Sequence, residues 1–345
     1  MKFKQILCAC FLMLILCTTV SFPAAAASVY SDVPDSRWSA QAITRITQLN
    51  IFNGVGDGRF APTQSISRAA FITALCRLFS WETNAPARPT FSDVSFGSWY
   101  YAAVETAYAH GAVTLQSSQF RPNDPITRQE MAAALVRALG YSTLAGLAQE
   151  YELPFSDVHS NRGYITVAYD LGLMGGTDAK HFSPDKTATR EQAAVVLIRL
   201  YDKLHSALEI KDISQLSAGQ NWQVVESLHD NSGSFPSASP APLENLYALL
   251  RSQGPTGSPV VLQADATRWT SDGSGFHYGG LVSSAELKQL LADSSSQIHR
   301  SLRTESSYLI QGNTAIWFES DEDLSAKAQL AKLFGLNQLY ILRTV

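Results

Sequence analysis

Three times between Ser31 and Leu200 the chain repeats one pattern: an Asp-Val dipeptide, a helical stretch, a turn closing in Phe-x-Pro, and a second helical stretch opened by Ser/Thr-Arg. The anchors are Asp32, Asp93 and Asp157; Phe60, Phe120 and Phe182; Pro62, Pro122 and Pro184; and Arg68, Arg128 and Arg190. Corresponding anchors lie 60 to 64 residues apart. A fixed period of that kind constrains the fold before any local feature does.

Within each copy the apolar residues recur at helical spacing. The first helix carries Ile43, Ile46 and Leu49, then Val104 and Ala107, then Ile165, Ala168 and Leu171. The second carries Phe71, Leu75 and Leu78, then Met131, Leu135 and Ala138, then Ala193, Leu197 and Leu200. Each set makes one face for a core. Ser67, Thr127 and Thr189 stand as N-caps, with Glu130 and Gln192 completing capping boxes in copies two and three. Copy one has Ala70 there, so its cap is the weakest. The glycines of Gly54 to Gly58 and of Gly175-Gly176 read as turn chemistry, because no strand precedes them and no Lys-Ser/Thr follows, as a nucleotide loop requires.

With 345 residues, 46% hydrophobic and 16% charged, the chain has room for two or three globular domains. Residues 1–27 read as a secretory leader: Lys2 and Lys4, an apolar run from Ile6 to Val20, and Ala25-x-Ala27 as a cleavage site. The apolar run is shorter than a membrane span needs, so no stable membrane insertion is expected after cleavage. Cleavage would shift the formal charge from -4 to -6 and leave Cys76 as the single cysteine, which excludes a disulfide framework within one chain. Cys76 sits among Leu75, Leu78 and Phe79 and reads as a core residue. Without a basic run or an aromatic-interleaved basic patch, nucleic acid is not an expected partner.

The pattern Ser-Asp-Val, Trp, Gly-x-Gly-Asp-Gly-x-Phe-x-Pro and Ile-Ser/Thr-Arg resembles the S-layer homology (SLH) domain. Three copies would occupy residues 28–87, 88–150 and 151–206. The resemblance implies an all-α, pseudo-threefold helical prism whose grooves between copies bind secondary cell-wall polysaccharide, often pyruvylated. The groove residues it implies are Asp32, Trp38, Gly54 and Arg68; Asp93, Trp99 and Arg128; and Asp157, Gly176 and Arg190. A guanidinium can donate bidentately to a carboxylate, and a tryptophan face can lie against a sugar. Each arginine could equally hold the neighbouring Asp-Val loop. Copy one reads Ser67-Arg68-Ala69-Ala70 where the family favours Thr-Arg-Ala-Glu, copy two has Leu115 to Gln119 in place of the glycine turn, and copy three has Ser160 in place of the Trp, so unequal grooves are expected.

Beyond a linker at 207–219, residues 220–345 alternate β-type runs at Val260 to Leu262, Ala315 to Phe318 and Leu339 to Leu342 with helical stretches near Leu243 to Arg251, Ser284 to Leu291 and Leu324 to Leu333. Such alternation indicates a small α/β domain. Ala315-Ile316-Trp317-Phe318-Glu319 and the segment to Leu342 resemble the last strand-helix-strand of family 18 glycoside hydrolases, and residues 220–345 resemble part of that TIM barrel. A glycosidase of this family needs an Asp-x-x-Asp-x-Asp-x-Glu strand, and no such segment occurs in the chain. His229 replaces the family's Tyr beside Asp230, and Leu342 replaces a substrate-stacking Trp.

Asp265, Asp272, Glu226 and Glu319 are the carboxylates that could substitute, yet isolated acids in loops are usually solvated. No catalytic residue, no cofactor and no metal site is expected; His277, His299 and His229 lack ligand spacing. A part-barrel leaves strand edges unpaired, with Val260 to Leu262 and Tyr340 to Leu342 as the exposed runs unless something covers them. The expectation is therefore a secreted, wall-anchored, non-enzymatic protein. The alternatives are a wall-glycan hydrolase with non-standard carboxylates and a self-assembling surface-layer protein.

Overall fold

The computed structural model describes residues 29–227, 238–254 and 257–344. The leader and the pair His229 and Asp230 lie outside the described residues.

The repeat region forms helices α1 (Ala40–Gln48), α2 (Arg68–Phe79), α3 (Tyr101–Ala109), α4 (Arg128–Ala138), α5 (Ser142–Ala148), α6 (Arg162–Asp170) and α7 (Arg190–His205). The helical stripes point inward: Ile43, Ile46, Phe71, Leu75, Val104, Met131, Leu135, Ile165, Leu197 and Leu200 have essentially no solvent exposure. Leu49 departs from that expectation, being the exposed C-cap of α1, where the stripe has already left the core. Ser67, Thr127 and Thr189 each accept the N–H three residues on, and Thr127/Glu130 and Thr189/Gln192 are complete capping boxes.

What the sequence did not disclose is where the other helix-initial N–H groups of α2, α4 and α7 find partners. The first N–H groups of a helix have no partner within it. Here each is met by the loop of the next copy: Arg68 N–H by Asp124 O at 2.9 Å, Arg128 by Lys186 O at 3.0 Å and Arg190 by Gln64 O at 2.9 Å. Just ahead of the caps, Ile126 N–H bonds Ile66 O at 3.0 Å, Ala188 bonds Ile126 O at 2.9 Å and Ile66 bonds Ala188 O at 3.0 Å. Copies one, two and three thus close into a ring, the third bonding back to the first.

The carboxy-terminal part contains β1 (Glu209–Asp212), β2 (Gln223–Val224), α8 (Leu243–Gln253), β3 (Val260–Gln263), β4 (Ala266–Ser271), β5 (Phe276–Val282), α9 (Ser284–Ala292), β6 (Gln297–Ser301), β7 (Ser306–Gln311), β8 (Thr314–Phe318), α10 (Asp321–Leu333) and β9 (Gln338–Leu342). Two sheets result: a parallel one in the order β1-β9-β3-β2, and an antiparallel one in the order β5-β4-β8-β7-β6.

Three expectations change here. The stretch 207–219 is not merely a linker, because β1 and a 3-10 turn at Ile213–Gln215 fall within it and β1 pairs with β9 from Glu209↔Gln338 to Asp212↔Ile341. Ala315 to Phe318 and Leu339 to Leu342 are not neighbouring barrel strands, since β8 lies in the antiparallel sheet and β9 in the parallel one. The runs Val260 to Leu262 and Tyr340 to Leu342 are not exposed edges either. They are the two central strands, flanked by a short charged strand and a two-residue strand, which blunt the edges.

One continuous apolar core joins the helical body to α8, α10, β3 and β9. Tyr247 of α8 is fully buried against it and donates its hydroxyl to Asp170 at the end of α6, which also accepts Arg251 Nε at 2.8 Å. Lys203 of α7 donates to Leu333 O at the end of α10, and Lys332 of α10 donates to Leu204 O near the end of α7, at 2.7 and 2.6 Å. Each ammonium satisfies a terminal carbonyl of the other helix, where a cation is also favoured by the helix dipole.

Candidate functional site

The seams between copies are built from the same parts. In each copy the aspartate of the Asp-Val pair grips the Phe-x turn with both carboxylate oxygens. Asp32 accepts the N–H groups of Phe60 and Ala61, both at 2.8 Å; Asp93 accepts Phe120 and Arg121, both at 2.7 Å; and Asp157 accepts Phe182 and Ser183, both at 2.8 Å. Burial pulls Asp32 and Asp157 upward, but these amide bonds outweigh it and hold both below the usual carboxylate value. The gripped residues Ala61, Arg121 and Ser183 sit at φ of 58°, 60° and 58°, a left-handed backbone that the aspartate keeps in place.

The arginine after each cap crosses to the next copy. Arg68 donates Nε to Phe120 O at 2.8 Å, Arg128 to Phe182 O at 2.8 Å and Arg190 to Phe60 O at 2.7 Å, each guanidinium lying over that same phenylalanine ring. Arg128 and Arg190 donate a second bond through Nη2, to Gly175 O and Asn53 O. Burial lowers the pKa of all three. The arginines therefore bond the same Phe-x turns that the aspartates grip, and in Arg128 and Arg190 the terminal Nη1 takes no part in these bonds.

Gly54 and Gly176 are close-approach positions. A Cβ on Gly54 would lie 2.4 Å from Arg59 O and 2.5 Å from the Tyr30 ring; one on Gly176 would lie 2.4 Å from Asp178 O and 2.5 Å from the Phe155 ring. Copy two has no glycine in the corresponding turn, which reads Leu115 to Gln119. Trp38 and Trp99 are 63% and 66% exposed, and Trp99 meets the Tyr100 ring in an edge contact.

The seam between copies one and two holds a cleft of about 270 Å³, lined among others by Arg68, Phe120, Arg121, Glu130, Arg137 and Asn161. Arg68 Nη1 and Arg121 Nη2 both reach Glu130 Oε1, at 2.7 and 2.6 Å, so one carboxylate serves two guanidinium groups. Arg137 lies over the Tyr164 ring at 4.5 Å, and its buried Nε has no hydrogen-bond partner. Sequence reading passed over Arg137, although the signal was present: Arg77, Arg137 and Arg199 each follow the conserved-position arginine of their helix by the same interval in all copies. On α7, Arg199 Nη1 donates to Leu173 O at 3.3 Å.

In the α/β part the candidate carboxylates are separated. Asp265 is buried and accepts Thr344 N–H and Oγ1 at 2.7 and 2.8 Å. Asp272 closes an exposed turn onto Ser274 and faces His277 at 3.0 Å; its turn bonds hold it down at about 2. Glu226 is exposed. Glu319 is buried against Lys327 and Ser306, and burial pushes it up to about 7. Among the described residues no group of three potential ligand residues could hold a metal ion, and no helix is long and apolar enough to cross a membrane. Cys76 is buried, its thiol pushed up to about 12 by desolvation.

The S-layer homology domain matches residues 29–72, 90–132 and 154–194. An amylopullulanase of Thermoanaerobacterium thermosulfurigenes is 32% identical over 180 residues, covering 50% of this chain and 10% of the relative. An endoglucanase of Bacillus sp. (strain KSM-635) is 31% identical, covering 64% and 25%, and an S-layer protein of Bacillus thuringiensis subsp. finitimus is 28% identical, covering 51% and 21%. The chain thus spans a quarter or less of the length of these relatives.

Among solved structures, a GH18 chitinase from Cycas revoluta overlaps 33% of this chain and 38% of its own at 16% identity and a TM-score of 0.28. A putative sporulation-specific glycosylase from Bacillus subtilis overlaps 32% and 39% at 17% identity and a TM-score of 0.25. The repeated Asp, Phe-x-Pro and Arg framework that closes the ring is the part of the chain the family description covers: this protein carries three S-layer homology domains followed by an α/β region.

Proposed function

We propose that the chain is a secreted protein held non-covalently at the cell surface by its three SLH domains, arranged as a pseudo-threefold helical prism, and that their seams bind carboxylate-bearing secondary cell-wall polysaccharide, including its pyruvylated form. The observation that carries this reading is the seam of copies one and two, where Arg68, Arg121 and Arg137 line one cleft with Glu130 as the carboxylate between them. Such a cleft carries excess positive charge beside the Phe120 ring, which suits an acidic sugar with an apolar face. Exposed Trp38 and Trp99 supply further stacking surface, while Asp32, Asp93 and Asp157 hold the loops and Gly54 and Gly176 let aromatic rings approach.

The α/β region, on this reading, is non-catalytic and serves as a packed companion of the third copy. Its support is that Asp265 and Glu319 are each enclosed by partners, and that the chain lacks the acid-bearing strand of family 18 hydrolases. The test is direct. Residues 28–345 are titrated with purified wall polysaccharide and incubated separately with peptidoglycan and chitin oligomers. Saturable binding that falls with salt, without turnover, supports the proposal; turnover abolished by Glu319→Ala or Asp230→Ala sinks its non-catalytic part, and absence of binding sinks the anchoring part.

A further inference from the structure

We infer that Arg137 is a second, specificity-determining contact for the carboxylate of the ligand in the seam of copies one and two, forming with Arg68 a two-guanidinium clamp. The inference rests on the anchoring function proposed above and deepens it, because it names a residue beyond the Asp, Trp, Gly and Arg positions of the groove pattern.

Arg137 and Arg68 both line the cleft, though the two belong to different copies and to different helices, α4 and α2. Their surroundings differ. Arg68 has its Nε bonded to Phe120 O and its Nη1 on Glu130, so much of its donor capacity is already satisfied within the fold. Glu130 also takes Arg121, and completes the capping box of α4 by accepting Thr127 N–H at 2.9 Å. That carboxylate is thus shared between two guanidiniums and a helix cap, and it leaves Arg137 without an anionic partner in the cleft.

Arg137 is held in position by the Tyr164 ring beneath its guanidinium carbon, with no hydrogen bond to its buried Nε. A donor desolvated and left unbonded is costly, so this guanidinium gains by turning toward an anion seated in the cleft it lines. Asn161, also in the lining, adds an uncharged amide that is bonded to Gln129 at 2.9 Å and so stays oriented. A guanidinium stacked on an aromatic ring in the lining of a cleft is suited to a planar carboxylate. A neutral sugar hydroxyl would satisfy one donor without answering the excess charge.

The equivalent positions elsewhere sharpen the point. Arg199 reaches a backbone carbonyl within copy three, whereas Arg137 Nε has no such partner. Arg77, the equivalent of copy one, is exposed, so the three positions differ in surroundings.

The test compares the intact chain with Arg137→Gln and Arg137→Lys, titrated against one wall polysaccharide preparation before and after its carboxylates are converted to neutral amides. Arg137→Gln should weaken binding to the untreated polymer about tenfold or more, as loss of a charge-assisted hydrogen bond does. It should leave binding to the amidated polymer unchanged, and Arg137→Lys should recover only part of the loss. A purely structural role would instead weaken both preparations together or lower the helical melting midpoint, and either outcome overturns the inference. Should Arg137→Gln bind the untreated polymer like the parent while Arg68→Gln does not, the clamp falls and the anchoring function stands; should the parent ignore both preparations, the anchoring function falls first.

Discussion

Arg190 lies over the ring of Phe60, 4.8 Å from its centroid, and donates Nε to that residue's carbonyl oxygen at 2.7 Å across 130 positions of the chain. It is one of the contacts by which the third copy returns to the first. Because Nη2 also bonds Asn53 O at 2.8 Å, Arg190 fixes the two ends of one loop. Arg190→Ala should therefore lower stability of the helical body by about 1.5–3 kcal/mol, the cost of bonds made by a charged donor. Arg190→Lys should recover little, since an ammonium cannot span both carbonyls. Urea melts followed by far-ultraviolet circular dichroism measure both, and an unchanged midpoint in Arg190→Ala would contradict the ring-closing role.

A second prediction concerns the left-handed turn residues. Ala61 holds φ of 58°, a backbone that glycine adopts without steric penalty, at the cost of one buried methyl group. Ala61→Gly should raise stability by a few tenths to about 1 kcal/mol, the relief of strain exceeding the added freedom of the unfolded chain. Asp32→Ala removes the carboxylate that grips Phe60 and Ala61 and should act in the opposite direction, read in the same melts.

The same carboxylates set the acid limit. Asp32, Asp157 and Glu191 are held below their ordinary values: burial raises all three, and it is outweighed by backbone amides for the aspartates and by Arg37 and Ser39 for Glu191. A group whose folded pKa is depressed contributes stability above its unfolded pKa and loses it as pH falls through the folded one. The helical body should therefore be constant in stability above the unfolded carboxylate range and weaken progressively below about pH 4. Asp157→Asn should flatten that acid limb, and a limb unchanged by the substitution would refute the assignment.

The helical half of the fold was legible because its information is local and repeated three times. Stripes such as Phe71, Leu75 and Leu78, and caps such as Thr127 with Glu130, are visible in any single copy. The ring itself was not, since the bonds from Ile66 to Ala188 and from Arg190 to Gln64 join residues far apart in the chain. Of the site, the aspartates, arginines and glycines could be found from the family pattern, but whether each side chain faces a neighbour or a ligand depends on partners contributed by another copy. The α/β half was less legible still: the run at Ala315 to Phe318 carries the same β-type composition whichever sheet it joins, and pairing with β4 and β7 rather than β9 is a matter of tertiary contact.

Lys327 and Glu319 give a prediction for that half. Both are fully enclosed, with Lys327 also donating to Ser306 Oγ at 2.9 Å. Burial opposes the charge on each, lowering Lys327 and raising Glu319. Lys327→Met alone leaves a buried carboxylate without its cation and should cost about 3–5 kcal/mol, whereas the paired change with Glu319→Gln should recover a good part of it. A double-mutant cycle on unfolding midpoints measures the coupling; additive losses would show that the pair does not act as one unit.

The most direct measurement of the central claim is co-sedimentation of residues 28–345 with purified wall sacculi, before and after their secondary polysaccharide is stripped. Retention on intact sacculi, with loss on stripped ones and on raising salt, is the predicted result. Equal retention on both, or none on either, would contradict anchoring through the cationic seams.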